Sequence, residues 1–253
     1  MRFVRFSTKE KNENVGWLNG DRIGLIDGNL FGEYRRLEAS IPMNGVKLLA
    51  PVVPGKIICV GRNYAEHAQE QGFEIPESPL LFLKPPSAII GPNEEIVIPI
   101  QSNRVEHEAE LVIVIGKRGR WIPVEKSSEH IFGYTIGNDV TARDLQYIDG
   151  QWTRGKGFDT FCPIGPWIET DLDPSDTLIT CRVNRELRQM ASTREMVFTV
   201  NQIIAYISTI MTLEPGDIVF TGTPAGIGPL TVGDAVEVEI EGIGGLRNRV
   251  TSD

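Results

Sequence analysis

The sequence predicts a mostly-β fold with a few helices, a mixed β-sheet roll or barrel carrying a small β-rich unit at its N-terminus. Three observations carry this. Apolar or alternating runs of about four to eight residues recur along the chain, the length and period of strands. Turn residues punctuate those runs, with 26 glycines and 16 prolines in 253 residues. Only Phe198–Thr209 has the clear spacing of an amphipathic helix, with Val200, Ile203, Ile204 and Ile207 on one side. A doubly wound α/β domain needs a helix between successive strands, and this chain lacks them.

Residues 1–52 form the expected N-terminal unit. Arg2 to Ser7 alternates, Asn19-Gly20 is a hairpin signal, Ile23 to Ile26 returns as a strand and Asp27-Gly28 turns again. Leu48 to Gly55 reads as a proline-punctuated connector into the main unit, 53–253. There Lys56–Val60 is a short buried strand ending at the turn Gly61-Arg62-Asn63-Tyr64. A short helix follows, with Asn63 the expected N-cap and Gly72 the stop. Leu80–Lys84 is a buried strand between prolines, and Asn93–Pro99 another. Leu111–Ile115 is an unbroken aliphatic run, the mark of a strand buried on both faces. A short helix is expected over Ser127–Ile131, and a strand over Ile131–Val140. Thr141–Gln146 turns out of that strand, and Trp152–Asp159 is a glycine-rich loop around Lys156. Strands follow at Cys162–Ile168, in a hairpin through Asn184-Arg185, at Asp217–Phe220, at Val236–Ile240 and near Leu246–Val250.

Charge and composition exclude several classes. The net charge is -9, which disfavours nucleic acid and anionic membrane, since both need basic patches. Small anionic substrates stay open, because one metal ion reverses the local field. No stretch approaches the ~20 apolar residues of a membrane span, and Met1–Phe6 has no apolar run long enough for a signal peptide, so neither is expected. Cys59, Cys162 and Cys181 are scattered and odd in number, so reduced thiols in the cytoplasm are expected.

Two constellations carry chemistry. Side chains alternate along a strand, so Glu108 and Glu110 point to one side. Either both lie in water at the strand's exposed start, or something positive sits between them. His67 and Glu70 lie three apart on the expected helix and share a face. That pair suits a general base, the carboxylate orienting an imidazole that takes a proton near neutral pH; an incidental polar helix surface has the same pattern. Thr221 to Pro229 lacks the Lys-Ser/Thr ending of a phosphate loop.

Taken in order, several motifs resemble the fumarylacetoacetate hydrolase family. They are Val60-Gly61-Arg62-Asn63-Tyr64 with His67 and Glu70, Glu108-x-Glu110, Asp139-x-Thr141-Ala142-Arg143-Asp144, Lys156, and Thr221-Gly222-Thr223-Pro224. The likeness covers about residues 55–250 and is greatest to acylpyruvase and hydroxymuconate-isomerase-like members. It implies the family's mixed-sheet roll and a metal, Mg2+ or Mn2+, held by Glu108, Glu110 and Asp139. An all-carboxylate set suits such a hard ion. His107 points away from Glu108 and is not expected to ligate.

The resemblance also implies 2-oxo or 2,4-dioxo acid substrates, which chelate the metal while an enolate forms or leaves. His67 with Glu70 would activate water or shuttle a proton, Lys156 would neutralise developing charge, and Arg62, Arg143, Gln146 and Thr223 would bind the substrate. The expected reaction is C–C hydrolysis of acylpyruvates, with decarboxylation of oxaloacetate or isomerisation of dienoic diacids as the alternative. The helix carrying His67 would belong to a mobile lid. A homodimer is expected by the same analogy.

Overall fold

The computed structural model describes residues 1–8 and 12–252. The two expected units, 1–52 and 53–253, run over residues 9–11 and 253, which lie outside that description. Strands β1 (Arg2–Ser7), β2 (Glu13–Asn19), β3 (Arg22–Gly28) and β4 (Tyr34–Pro42) form an antiparallel meander, and β5 (Lys47–Leu49) pairs back onto β1. The chain continues through β6 (Ile57–Gly61), helix α1 (Ala65–Glu70), β7 (Leu80–Lys84), β8 (Ile89–Ile90), β9 (Glu95–Ile98), β10 (Val105–His107) and β11 (Ala109–Ile115). Next come β12 (Ile131–Asn138), β13 (Thr141–Ala142), α2 (Arg143–Asp149), α3 (Thr153–Lys156), β14 (Cys162–Glu169), β15 (Leu178–Val183) and β16 (Glu186–Ser192). Helix α4 (Val200–Ile210) and strands β17 (Ile218–Phe220), β18 (Gly228–Pro229), β19 (Ala235–Ile240) and β20 (Gly244–Ser252) complete it.

The mostly-β, mixed-sheet prediction holds. The main sheet runs β4-β3-β2-β1-β14-β12-β11-β17-β6-β7, and a second runs β16-β15-β19-β20-β9. Most pairs are antiparallel, while β17–β6, β20–β9 and β14–β8 are parallel. The N-terminal meander joins the main sheet through β1 and β14, with Phe3 opposite Ile168.

Strand β11 shows why its run is aliphatic throughout. Leu111, Ile113 and Ile115 belong to the large core shared with β15, β19 and α4. Val112 and Val114 face the other way, into a second core with Phe3, Cys162 and Phe220. Every residue of β11 is buried, so only apolar side chains, or polar ones with partners, are tolerated there. Helix α4 starts at a capping box of Thr199 and Gln202 and buries Val200, Ile203, Ile204 and Ile207. It is a core-packing helix, as its period predicted. All three cysteines are buried and free. No helix among the described residues is long and apolar enough to cross a membrane.

Several local expectations need correction. Asn63 does not cap α1: the N-cap is Tyr64, which makes no side-chain cap bond. The Asn63 amide instead donates to Phe198 O and Thr221 O and accepts from Phe198 N, because it is fully buried between the start of α1 and the end of β17. Thr141–Gln146 is a short strand leading into α2, not a turn, and the glycine-rich stretch around Lys156 contains the helical turn α3. The connector at 48–55 begins inside β5, β3 continues through Gly28 before the chain turns, and the helix expected at Ser127–Ile131 is a 3-10 helix over Val124–His130. Strand β4 escaped notice because its pattern is almost wholly exposed.

Candidate active site

The site grows from the junction of β10 and β11. Ala109 pairs with Asn138 across β11 and β12, which brings Asp139 alongside Glu108. The backbone locks that approach: Asp139 N donates to Glu108 O at 2.8 Å, and Glu108 N donates to Asn138 Oδ1 at 2.9 Å. Carboxylate oxygens of Glu108, Glu110 and Asp139 all lie within 4.8 Å of one another. The three residues are 4%, 2% and 1% exposed, which rules out glutamates solvated at a strand start.

Three buried cations hold the cluster together. Lys156 Nζ donates to Glu108 Oε2 at 2.7 Å and Asp139 Oδ2 at 2.6 Å. Lys84 Nζ donates to Asp139 Oδ1 at 2.5 Å and Val140 O at 3.1 Å. The Arg143 guanidinium donates to Glu108 Oε1, to Glu106 Oε2 at 2.8 Å and to Gln146 Oε1 at 2.6 Å. Burial alone would raise Glu108, but Lys156 and Arg143 outweigh it and hold that carboxyl well below its usual range. Glu110 differs. Its Oε2 accepts from Gly222 N at 2.6 Å, and it has no cationic side-chain partner among the described residues. Burial, then the charges of Asp139 and Glu108, push its carboxyl well above the usual range. The donor set therefore fits a hard divalent ion: oxygen only, buried, and with one carboxylate still to be neutralised.

His67 and Glu70 come together as the helical spacing predicted. His67 Nδ1 lies 3.4 Å from Glu70 Oε2. With Glu70 as acceptor, Nδ1 carries the proton and Nε2 is the basic nitrogen. Burial lowers the His67 pKa, against the raising effects of Glu108 and Glu70. Gly226 N donates to both Glu70 oxygens, at 3.1 and 3.2 Å. His107, by contrast, turns away toward Gln189, with Nδ1 3.0 Å from Oε1, and stands outside the carboxylate cluster.

One cavity gathers these groups. It holds about 40 Å3 and is lined by His67, Glu108, Glu110, Asp139, Arg143, Gln146, Lys156, Thr223 and Arg62 among others. That is room for a few waters, with His67, Gln71 and Phe73 forming part of its wall. Arg62 has φ +58°, a strained setting for a side-chain-bearing residue, and stacks 3.5 Å from the Phe73 ring centroid. No carboxylate pairs with it among the described residues. Gln146 spends its carbonyl on Arg143, which leaves its amide N–H groups for a ligand. Thr223 spends its hydroxyl proton on Ala109 O at 2.9 Å and accepts from Gln189 Nε2 at 2.8 Å.

Sequence reasoning missed Lys84, Gln189 and Gly226, and named Gly222 in a motif without assigning it a contact. For Lys84 a signal existed: alternation places it on the face of Phe82, opposite Leu83, and the strand is inverted in polarity, with Leu83 51% exposed and Lys84 2%.

Two sequence-family descriptions match this chain. "Fumarylacetoacetate (FAA) hydrolase C-terminal" covers residues 56–251, and "Rv2993c-like, N-terminal" covers residues 1–51. The X-ray structure of 5-carboxymethyl-2-hydroxymuconate delta-isomerase from Mycobacterium smegmatis matches with a TM-score of 0.94 at 44% identity, covering 100% of both chains. Oxaloacetate tautomerase Fahd2a, mitochondrial, of Rattus norvegicus is 41% identical, the match covering 99% of this chain and 91% of that protein. Fumarylpyruvate hydrolase from Pseudomonas aeruginosa, solved in complex with Mn2+ and pyruvate, matches with a TM-score of 0.76 at 38% identity, covering 79% of this chain and 91% of its own. The chain belongs to the fumarylacetoacetate hydrolase family, a family of enzymes that includes isomerases, tautomerases and hydrolases.

Proposed function

We propose that the protein is a divalent-metal-dependent enzyme that enolises a 2-oxo diacid, with keto–enol interconversion of an oxaloacetate-class substrate as its reaction. The observation that carries this reading is the shared cavity: a histidine oriented by a carboxylate opens onto the same space as three clustered carboxylates. Similarity to an oxaloacetate tautomerase over nearly the whole chain supports the choice of reaction.

Glu108, Glu110 and Asp139 would hold Mg2+ or Mn2+, and the ion, when bound, supplies Lewis-acid polarisation of a 2-oxo carboxylate. The chain's own groups do the rest. His67, kept neutral by burial, takes a proton from the carbon beside the carbonyl. Glu70 fixes the imidazole's orientation. Lys156 has a third N–H beyond the two it gives to Glu108 and Asp139, and with the Gln146 amide it donates to charge developing on oxygen. Arg143 aligns Glu108 and Gln146. Thr223 shapes the cavity floor, with one lone pair left for a donor on the substrate. Arg62, a cation without a protein carboxylate, binds the second carboxylate of the diacid.

A second reading is hydrolysis of an acylpyruvate-type 2,4-dioxo acid. The same dyad suits activation of water, and the likeness to a fumarylpyruvate hydrolase favours it. A homodimer belongs to either reading, and sedimentation velocity tests it.

The deciding assay offers oxaloacetate, acetylpyruvate and fumarylpyruvate with Mg2+, Mn2+ or chelator. Metal-dependent decay of enol-oxaloacetate absorbance, with total oxaloacetate conserved, is the expected result. Release of pyruvate from either acylpyruvate without that acceleration would replace the tautomerase reading by the hydrolase. Loss of oxaloacetate as CO2 would replace it by a decarboxylase.

A further inference from the structure

We propose that Gln189 is a positioning residue that clamps the loop Thr221–Gly228 and so sets the general-base dyad in register with the carboxylate cluster. The proposal rests on the functional reading above for its kinetic consequence, but its geometry stands on separate observations.

Gln189 lies on β16, in a hairpin outside every recognised motif, and is 1% exposed. Its Oε1 accepts from Ala109 N at 3.1 Å and lies 3.0 Å from His107 Nδ1. Its Nε2 donates to Thr223 Oγ1 and to Pro224 O, both at 2.8 Å. A primary amide has two N–H donors and two acceptor lone pairs, and here all four are engaged. Two partners belong to the chain on either side of Glu108, and two to the loop after β17. The amide therefore bridges the metal-ligand strand and that loop.

The loop in turn reaches both halves of the site. Thr221 Oγ1 donates to Leu111 O at 2.9 Å, and Gly222 N donates to Glu110 Oε2 at 2.6 Å. Four residues on, Gly226 N meets the Glu70 carboxylate. Gly226 has φ +96°, and a Cβ there would lie 2.0 Å from Arg188 O. The loop thus rests directly on the backbone of β16, one residue from Gln189. Helix α1 has only six residues and no side-chain cap, so it is poorly fixed by its own structure. Glu70 is placed by Gly226, Gly226 by β16, and the loop's other end by Gln189.

The test uses the full-length, Mn2+-loaded protein and two variants, Gln189→Met and Gly226→Ala. Gln189→Met keeps length and removes all four hydrogen bonds. It should speed amide exchange across residues 221–228 and lower kcat on oxaloacetate roughly tenfold or more, with KM changed far less. Gly226→Ala, which lifts the loop off β16 beyond Gly222, should lower kcat comparably while the Mn2+ Kd stays within about twofold. If Gln189→Met does not fold, Gln189→Glu decides the matter, because it keeps acceptor oxygen toward Ala109 N and loses both donations to Thr223 and Pro224, with the same expected outcome. Wild-type exchange in 221–228 for Gln189→Met overturns the clamp, as does activity lost in either variant only in proportion to its unfolded fraction. A wild-type protein inactive on every 2-oxo diacid would sink the functional reading instead, and loop exchange together with Mn2+ Kd would still decide the clamp.

Discussion

Lys84 Nζ lies 2.5 Å from Asp139 Oδ1, and both side chains are closed off from solvent. The pair joins the edge strand β7 to the end of β12. Removing one member of such a pair leaves the other charged and buried, which costs far more than losing the attraction. Lys84→Met should destabilise the metal-free protein by about 3–5 kcal/mol, read from the shift in urea midpoint at constant m-value. A loss under about 1 kcal/mol would mean that Asp139 is neutralised by Lys156 alone.

The Glu108/Glu110 pair and the His67/Glu70 dyad were legible because their spacing is local, while Asp139 entered only through the family resemblance. Glu108 and Glu110 lie two residues apart, Glu108 at the junction before β11 and Glu110 within it, and His67 and Glu70 lie one helical turn apart. Gln189 and Gly226 were not legible, because their partners lie far away in sequence and nothing in their own neighbourhoods names those partners; for Lys84 the alternation along β7 was visible, but its partner Asp139 was not. The strands of the core announced themselves by apolar runs. Strand β4 did not, since its side chains are nearly all in solvent, and the Lys156 turn hid behind two glycines that suggest a loop.

With Glu110 in the proposed ligand set, metal binding should depend on pH. Burial and the neighbouring carboxylates raise its folded-state pKa, so the metal-free fold gains stability from the protonated form. That gain is complete below the ordinary value of 4.5 and is lost as pH rises through the raised value. Binding an ion requires the carboxylate and releases the proton. Across that window the apparent Mn2+ affinity should rise with pH, and calorimetry in buffers of different ionisation enthalpy should detect proton release of up to one per site. Glu110→Gln should abolish tight Mn2+ binding.

His67→Ala should retain Mn2+ binding and lose about 10²–10⁴ in kcat. In the wild type the acid limb of kcat/KM should fall below the ordinary histidine value of 6.5, because burial lowers this imidazole and its neutral form is the base. An acid limb at or above that value would assign the base elsewhere.

Arg62→Leu should discriminate between substrates. A charge-assisted hydrogen bond is worth about 1.5–3 kcal/mol, or roughly tenfold to a hundredfold in KM. The rise should appear with diacids such as oxaloacetate and be nearly absent with acetylpyruvate, which has one carboxylate. Equal effects on both would place Arg62 outside the ligand's reach.

The contact between Glu70 and Gly226 closes across 156 positions of the chain. Glu108, Glu110 and Asp139 need only the neighbouring strands β11 and β12 to find one another. Loop-closure entropy delays distant pairings more than near ones. Refolding should therefore pass through a stage that captures Mn2+ before it turns over substrate, and recovery of activity should lag recovery of metal-dependent fluorescence. Simultaneous recovery of metal binding and activity would mean that sequence distance does not order the two halves.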